Sequence, residues 1–464
     1  MAPKFGTSGL RGLVSELTPE LVADYTRAFV ASCPVGTGLY IGQDLRPSSP
    51  AIAAAVSGAA RAAGVAVTDC GVLPTPALAA AAMAAGAGAV MVTGSHIPAD
   101  RNGLKFYLPT GEIAKSDEAA INAAYGARAT PVAAAVGALG AAPGAGAAYV
   151  ARYVSAFGAQ ALAGLRLGIY QHSSVARDLL VDLVTGLGAT AVPLARSEVF
   201  IPVDTEAVDP ETRAMLAALC AEHRLDAVLS TDGDADRPML TDDAGRVIAG
   251  DILGVLSAAQ LGAEVICTPV SSNSMVGELP AFRAVHLTKI GSPFVIAAME
   301  AVRAAEPGAK VVGFEANGGF LLGFAAEGPA GPLAALMTRD AVLPMIAPLV
   351  MARMAGCGLS DLVAGLPARF TAADRLTETP PEASAALLAR LAEPTARAEF
   401  LAPFGREAGL DQTDGLRMRL ETGRVVHLRP SGNAPEFRVY AEAESAAAVA
   451  ELLAGALARV RAAL

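Results

Sequence analysis

Residues 38–69 read GLYIGQDLRPSSPAIAAAVSGAARAAGVAVTD. A short apolar strand, Gly38–Gly42, runs into a turn carrying Ser48 and Ser49. A helical stretch follows to about Ala63, then a second strand over Val65–Asp69. The pattern returns twice: Leu167–Tyr170, Ser173-Ser174, a helix to about Leu187 and Ala189–Pro193; then Glu264–Thr268, Ser271-Ser272, a short helix and Ala284–Leu287. Strands alternating with helices at this spacing predict βαβ units in mixed, mainly parallel sheets, and the serines suit helix N-caps. Three copies predict three related α/β domains.

The last hundred residues differ. Thr377–Arg397 reads as helical, Leu416–Leu420 and Arg424–Leu428 as a hairpin, Arg438–Ala443 as a strand and Ala446–Leu464 as a closing amphipathic helix. That makes an α+β module. Candidate joints at Gly137–Gly146, Ala249–Asp251 and Gly365–Ala368 divide the chain into 1–146, 147–250, 251–366 and 367–464.

Length and composition agree with several cores. The chain has 464 residues, 53% of them hydrophobic and 17% charged, too long for one ordinary domain and far from a disordered composition. Its formal charge of −10 argues against a nucleic-acid surface, while a local arginine cluster could still bind a small anion. Five scattered cysteines, none spaced C-x-x-C, predict reduced thiols in a cytoplasmic protein. No signal peptide is apparent at the start. Gly71–Ala99 and Ala129–Ala151 carry no charge, but they are alanine- and glycine-rich and broken by proline, unlike a membrane span. Lysine occurs only at positions 4, 105, 115, 289 and 310, so each lysine is informative in a chain that prefers arginine.

Residues 91–107, MVTGSHIPADRNGLKFY, carry an apolar strand into a Gly-Ser turn. Ser95 then lies at the strand's C-terminal end, the edge where open α/β sheets bind ligands. His96 adjoins it, and Arg101 and Lys105 follow on a polar return. A serine nucleophile needs a base or metal to assist it. Ser95 therefore reads either as a phosphoryl carrier served by Lys105 or His96, or as a capping serine. The absence of G-x-S-x-G removes a hydrolase elbow.

Residues 230–238, STDGDADRP, alternate Asp232, Asp234 and Asp236 in one turn, an oxygen-only donor set suited to magnesium, calcium or manganese. An EF-hand loop is excluded by Arg237 at its sixth position and Asp243 at its twelfth. Residues 5–12, FGTSGLRG, and 429–440, RPSGNAPEFRVY, each combine small residues, hydroxyls and an arginine able to cradle a phosphate. Residues 312–322, VGFEANGGFLL, interrupt an apolar strand with Glu315, Asn317 and two glycines, which read either as partners for sugar hydroxyls or as an ordinary turn. Residues 287–292, LTKIGS, set Lys289 beside a glycine turn.

In this order, these segments resemble the α-D-phosphohexomutase superfamily over the whole chain. Its pattern is G-T-S-G-x-R-G, T-A-S-H-N-P followed by N-G-x-K, D-G-D-x-D-R, G-E-x-S-G and R-P-S-G-T-E-P. The resemblance implies four domains around a central cleft and a phosphoserine at Ser95. It also implies Mg2+ held by Ser95, Asp232, Asp234 and Asp236. Arg11, Lys105 and Arg237 would stabilise the transferring group or its proton, with His96 as the other proton carrier. Glu315 and Asn317 would bind sugar hydroxyls. Arg429, Ser431, Gly432, Asn433 and Arg438 would hold the non-reacting phosphate, and Lys289 and Ser292 a sugar- or phosphate-contacting turn.

The implied reaction moves a phosphoryl group within a hexose phosphate through a hexose 1,6-bisphosphate, with no nucleic acid, membrane or obligate protein partner. Departures are Ile97 for asparagine, Gly94 for alanine, Gly432-Asn433-Ala434 for Gly-Thr-Glu, and F-E-A-N-G-G for the sugar loop. Bacterial phosphomannomutases look similar in S-H-I-P and E-A-N-G, which points to mannose 6-phosphate and mannose 1-phosphate. E-A-N-G also resembles acetylglucosamine-phosphate mutases, and phosphoglucomutase is a further alternative. An inactive sugar-phosphate-binding relative would have lost Ser95 or an aspartate.

Overall fold

The computed structural model of this protein describes residues 3–6, 9–128, 133–431 and 436–464. Among these residues three sheets repeat one arrangement. In the first, Val67–Val72, Leu39–Gln43 and Gly88–Val92 lie parallel in that spatial order, and Arg101–Leu108 returns antiparallel beside the last of them. In the second, Thr190–Arg196, Arg166–His172 and Ala227–Thr231 repeat the parallel trio, with Pro238–Leu240 antiparallel. In the third, Ala284–Thr288, Val265–Pro269 and Val311–Phe314 do so, with Phe320–Leu322 and Leu336–Asp340 antiparallel beyond them. The predicted βαβ units are therefore present in mixed sheets. The fourth sheet is wholly antiparallel, in the order Phe370–Leu376, Phe437–Ala443, Val425–Pro430, Leu416–Leu420 and Glu407–Asp411, backed by helix Ala446–Ala463.

The uncharged stretch 71–99 is explained by burial. Its helix Thr75–Ala84 packs against helix Ala145–Phe157, and the following strand Gly88–Val92 is buried along its whole length. An element covered on both faces needs no polar side. One apolar cluster runs through all three α/β units, including Met91, Tyr153, Leu167, Leu253 and Phe314. No helix among the described residues is long and apolar enough to cross a membrane.

Several local expectations are corrected. Residues 139–141, read within a glycine-rich joint, form an edge strand parallel to Val67–Val72. Phe370–Leu376 and Glu407–Asp411 are strands that the periodicity did not reveal, and the helical span 377–397 begins only at Pro381 and breaks at Glu393–Pro394. Of the Ser-Ser pairs only Ser174 makes the predicted kind of bond among the described residues, its Oγ accepting from Ala176 N at 3.0 Å. Ser48 makes no side-chain cap bond, and Ser49 Oγ donates instead to Asp44 Oδ1 at 2.5 Å. Ser174 Oγ meets Thr231 Oγ1 at 2.6 Å, and Ser272 Oγ meets Thr268 Oγ1 at 2.7 Å. These hydroxyls tie the turns to neighbouring strand ends, where buried polar partners compete with helix N–H groups.

In the fourth sheet His427 is buried and stacks on Tyr440 with ring centroids 5.2 Å apart, and its Nε2 donates to the Asp414 carbonyl at 2.6 Å. Burial lowers its pKa from 6.5 to about 4. A base whose native pKa is depressed binds fewer protons when folded, so its contribution is intact above about pH 6.5 and declines as pH falls toward 4. Replacement by glutamine, which keeps a donor for Asp414, should flatten the acid limb of a urea-unfolding stability profile. The expected flattening is roughly 3 kcal/mol between pH 7 and 4. An unchanged limb would show that His427 carries no such linkage.

Candidate active site

The three repeated sheets place their functional turns at the same point, between the last parallel strand and the antiparallel return. These turns are 93–100, 232–237 and 315–319. Each contains a residue with left-handed backbone: Ser95 at φ 54°, Ala235 at φ 58° and Gly318 at φ 88°. For Ser95 and Ala235 that conformation is strained, as recurs where a turn must aim one group.

Ser95 is buried, and its Oγ donates to Asp232 Oδ2 at 2.6 Å although 137 residues separate the two. Its loop is held by Arg46, which sequence reasoning missed. Arg46 is 1% exposed; its guanidinium donates to the carbonyls of Ser95 (2.9 Å), Ile97 (2.6 Å), Pro98 (2.7 Å) and Arg101 (3.1 Å) and to Asp44 Oδ2 (3.1 Å). Phe200 from the second unit lies under its charge, 4.1 Å from Cζ to the ring centroid. The Gly94 departure is explained here, because a Cβ would lie 2.3 Å from Arg46 Cζ. Asp44 Oδ2 also accepts from Thr93 Oγ1 (2.9 Å) and Gly94 N (3.2 Å). The only local signal for this clamp is an Asp-x-Arg pair just beyond an apolar strand.

Asp232, Asp234 and Asp236 are buried and offer carboxylate oxygens that all lie within 4.8 Å of one another. Burial, then repulsion from Asp234 and Asp236, pushes the Asp232 carboxyl well above its usual range. Asp234 is held well below its ordinary value despite burial, by Lys105 first and by Thr75, whose Oγ1 donates to its Oδ2 at 2.7 Å. Lys105 Nζ also bonds Asp234 Oδ2 at 2.6 Å and Asp236 Oδ2 at 2.5 Å. The Oδ1 atoms of Asp234 and Asp236 remain buried without a hydrogen-bond partner. Orphaned carboxylate oxygens in an all-oxygen set fit a divalent cation such as Mg2+.

Among the remaining predicted residues, Arg11, His96 and Arg237 adjoin this centre. Arg11 donates to the Thr93 carbonyl, and burial pulls its pKa down to about 10. His96 Nδ1 lies 3.4 Å from Ser95 Oγ; burial, then Arg237, lowers it to about 3, so the ring is neutral. Arg237 lies 3.9 Å from Asp236. Glu315 is buried, and burial raises its pKa despite the attraction of Arg339. Asn317 Oδ1 accepts from Gly319 N at 3.0 Å, and its carbonyl accepts from Thr205 Oγ1 at 2.9 Å.

Ser292 Oγ donates to Glu112 at 3.0 Å, while Lys289 lies 6.0 Å from the Phe294 ring centroid. On the terminal sheet, Arg429 Nε approaches Asp414 at 2.9 Å, Arg438 lies 3.7 Å from Glu436, and Ser431 N donates to the Glu436 carbonyl at 2.8 Å. Asp204 feels His96, Arg237 and Arg438 together, so the terminal sheet is within electrostatic reach of the serine loop. Gly432 and Asn433 lie outside the described residues.

Such a site can hold a cation and several phosphate oxygens beside a serine. Comparison with known proteins agrees. The chain matches the phosphoglucomutase/phosphomannomutase α/β/α domain I over residues 2–131, domain II over 147–245 and the C-terminal domain over 375–458. It is 47% identical to a phosphomannomutase of Sinorhizobium fredii (strain NBRC 101917 / NGR234), covering 99% of this chain and 98% of that protein. It is 42% identical to a phosphomannomutase of Salmonella muenchen, covering 95% and 92%. The crystal structure of a phosphoglucomutase/phosphomannomutase family protein from Burkholderia thailandensis shares the fold, with TM-score 0.77 at 23% identity over 98% of this chain and 97% of that one. With its serine turn, aspartate turn and full-length relatives in accord, the chain belongs to the phosphoglucomutase/phosphomannomutase family of α-D-phosphohexomutases.

Proposed function

We propose that this protein is a cytoplasmic phosphomannomutase that interconverts mannose 6-phosphate and mannose 1-phosphate through a phosphoserine at Ser95 and a hexose 1,6-bisphosphate. The observation that carries the reading is the 2.6 Å contact between Ser95 Oγ and Asp232, which unites the two motifs at one point. The names of the two relatives support mannose as the sugar.

Phosphoryl transfer asks a protein for positioning and for neutralisation of charge on the equatorial oxygens. A divalent cation held by Asp232, Asp234, Asp236 and the Ser95 phosphate would supply part of that neutralisation. Lys105, Arg11 and Arg237 add fixed positive charge around the same turn. In the forward half-reaction the bond from Ser95 Oγ to phosphorus breaks and a bond from the sugar hydroxyl oxygen to phosphorus forms. The hydroxyl proton ends on Ser95 Oγ, with neutral His96 at 3.4 Å placed to relay it. Lys105 is committed to two carboxylates, which favours His96 for the proton and Lys105 for charge.

The bisphosphate then turns over, so that its other phosphate meets Ser95. Glu315 and Asn317 would accept sugar hydroxyls in both orientations. Lys289, Ser292, Arg429, Ser431 and Arg438, with Gly432 and Asn433, would hold whichever phosphate is not reacting. The divisions 1–146, 147–250, 251–366 and 367–464 belong to the same proposal, since each unit then contributes one loop to the cleft.

Ser95→Ala should abolish mutase turnover in a folded protein, and intact-mass spectrometry should find the added phosphate only with serine present; a variant retaining near wild-type rate would exclude the covalent role. Rates on mannose, glucose and acetylglucosamine phosphates should rank mannose first; a clear preference for another sugar would move the assignment to that mutase. Arg46→Met leaves the Asp44 charge without its cation and the loop carbonyls without their guanidinium donor in a buried place. It should cost about 3–5 kcal/mol in urea unfolding and most of the turnover; an unaltered stability would contradict the clamp.

A further inference from the structure

Arg339 stands where all three α/β units meet, and no family motif quoted above includes it. It lies on strand Leu336–Asp340 and is 4% exposed. Its Nη2 is 2.9 Å from Asp236 Oδ2 in the metal turn, its Nη1 is 3.7 Å from Glu315 Oε2 in the sugar turn, and its Nε is 3.9 Å from Glu112 Oε1 of the first unit. Glu112 in turn accepts from Thr338 Oγ1 at 2.9 Å and from Ser292 Oγ at 3.0 Å. Room for the arginine stem is made by the sugar turn itself, because a Cβ on Gly319 would lie 2.8 Å from Arg339 Cδ.

These contacts have two consequences of opposite sign. Beside Asp236 a fixed positive charge offsets part of the aspartate cluster and so opposes a divalent cation. Beside Glu315, whose Oε2 is buried without a hydrogen bond, the same charge favours the ionised carboxylate. An ionised carboxylate is acceptor-only and so suited to hydroxyl donors. Desolvation pushes Glu315 toward the neutral acid, and Arg339 is the largest influence opposing it. Lysine could not replace this fork, since one ammonium is a point charge that cannot span carboxylates on two loops.

We propose that Arg339 is a positioning residue that ties the sugar-turn carboxylate Glu315 to the metal-turn carboxylate Asp236, fixing the sugar's distance from the reacting centre while weakening divalent-cation binding. This rests on the functional reading above and adds a residue to it.

The test uses the full chain and two variants, Arg339→Met and Arg339→Lys. Magnesium binding is measured by titration calorimetry with magnesium chloride, and KM and kcat with mannose 6-phosphate. Arg339→Met should bind magnesium about three- to tenfold more tightly, while KM rises about tenfold or more and kcat falls less. Arg339→Lys should keep wild-type magnesium affinity and still raise KM. A merely structural arginine would weaken both ligands together when lost. That result, or a KM within twofold of wild type in Arg339→Lys, overturns the proposal. Should Arg339→Met fail to fold, the lysine variant decides through KM. Absence of magnesium binding by the wild-type protein would tell against the metal reading itself, and the KM arm would then judge Arg339 alone.

Discussion

Three carboxylates in a buried turn cannot remain charged together without cations to face them, and the cleft is organised around that constraint. Asp234 and Asp236 meet Lys105 directly, Asp236 also meets Arg339 from the third unit, and Asp232 meets Ser95 Oγ from the first. Lys105 and Arg339 lie on strands Arg101–Leu108 and Leu336–Asp340 of the first and third units, and Ser95 on the turn 93–100. The charge balance therefore also fixes how the units sit against one another. Removing water from such a cluster strengthens each attraction and each repulsion. A phosphate on Ser95 would enter a place where positive charge is already aimed.

The same local device is used three times. A parallel strand ends, a turn adopts one left-handed residue, and an antiparallel strand carries the chain away. Two units spend that turn on ionic chemistry, the serine and the aspartates. The third places Glu315 and Asn317 there. The turns meet directly, Ser95 on Asp232 and Arg339 between Asp236 and Glu315, while one apolar cluster includes residues of all three units. The terminal sheet is built differently, and its Arg438 bears electrostatically on Asp204 of the second unit. Asp414 marks that junction, accepting from Ile290 N at 2.9 Å beside Lys289 while approaching Arg429 at 2.9 Å.

Much of this was legible where chemistry is local in sequence. The serine and aspartate turns follow apolar strands and carry their polar groups within a few residues, so periodicity and residue type located them. Arg46 and Arg339 escaped because their partners are remote. Arg46 reaches Ser95 across 49 residues, and Arg339 touches Asp236 and Glu112 on other units. In an arginine-rich chain a single arginine carries no signal. Strand Phe370–Leu376 was missed for another reason. It is largely exposed and includes two alanines, so no alternation of apolar and polar side chains distinguishes it. Ser49 and Ser272 were misread as caps because composition identifies a hydroxyl but not which of several nearby partners it will choose.

The central claim is that the Ser95 phosphate and the aspartate turn share one divalent ion. Phosphorus-31 NMR of the phosphorylated protein titrated with manganese tests this directly. The account predicts that the phosphoserine resonance broadens beyond detection at substoichiometric manganese, and that Asp234→Asn restores a sharp line at the same concentration. A phosphoserine line that stays sharp in the wild-type protein with manganese bound would contradict it.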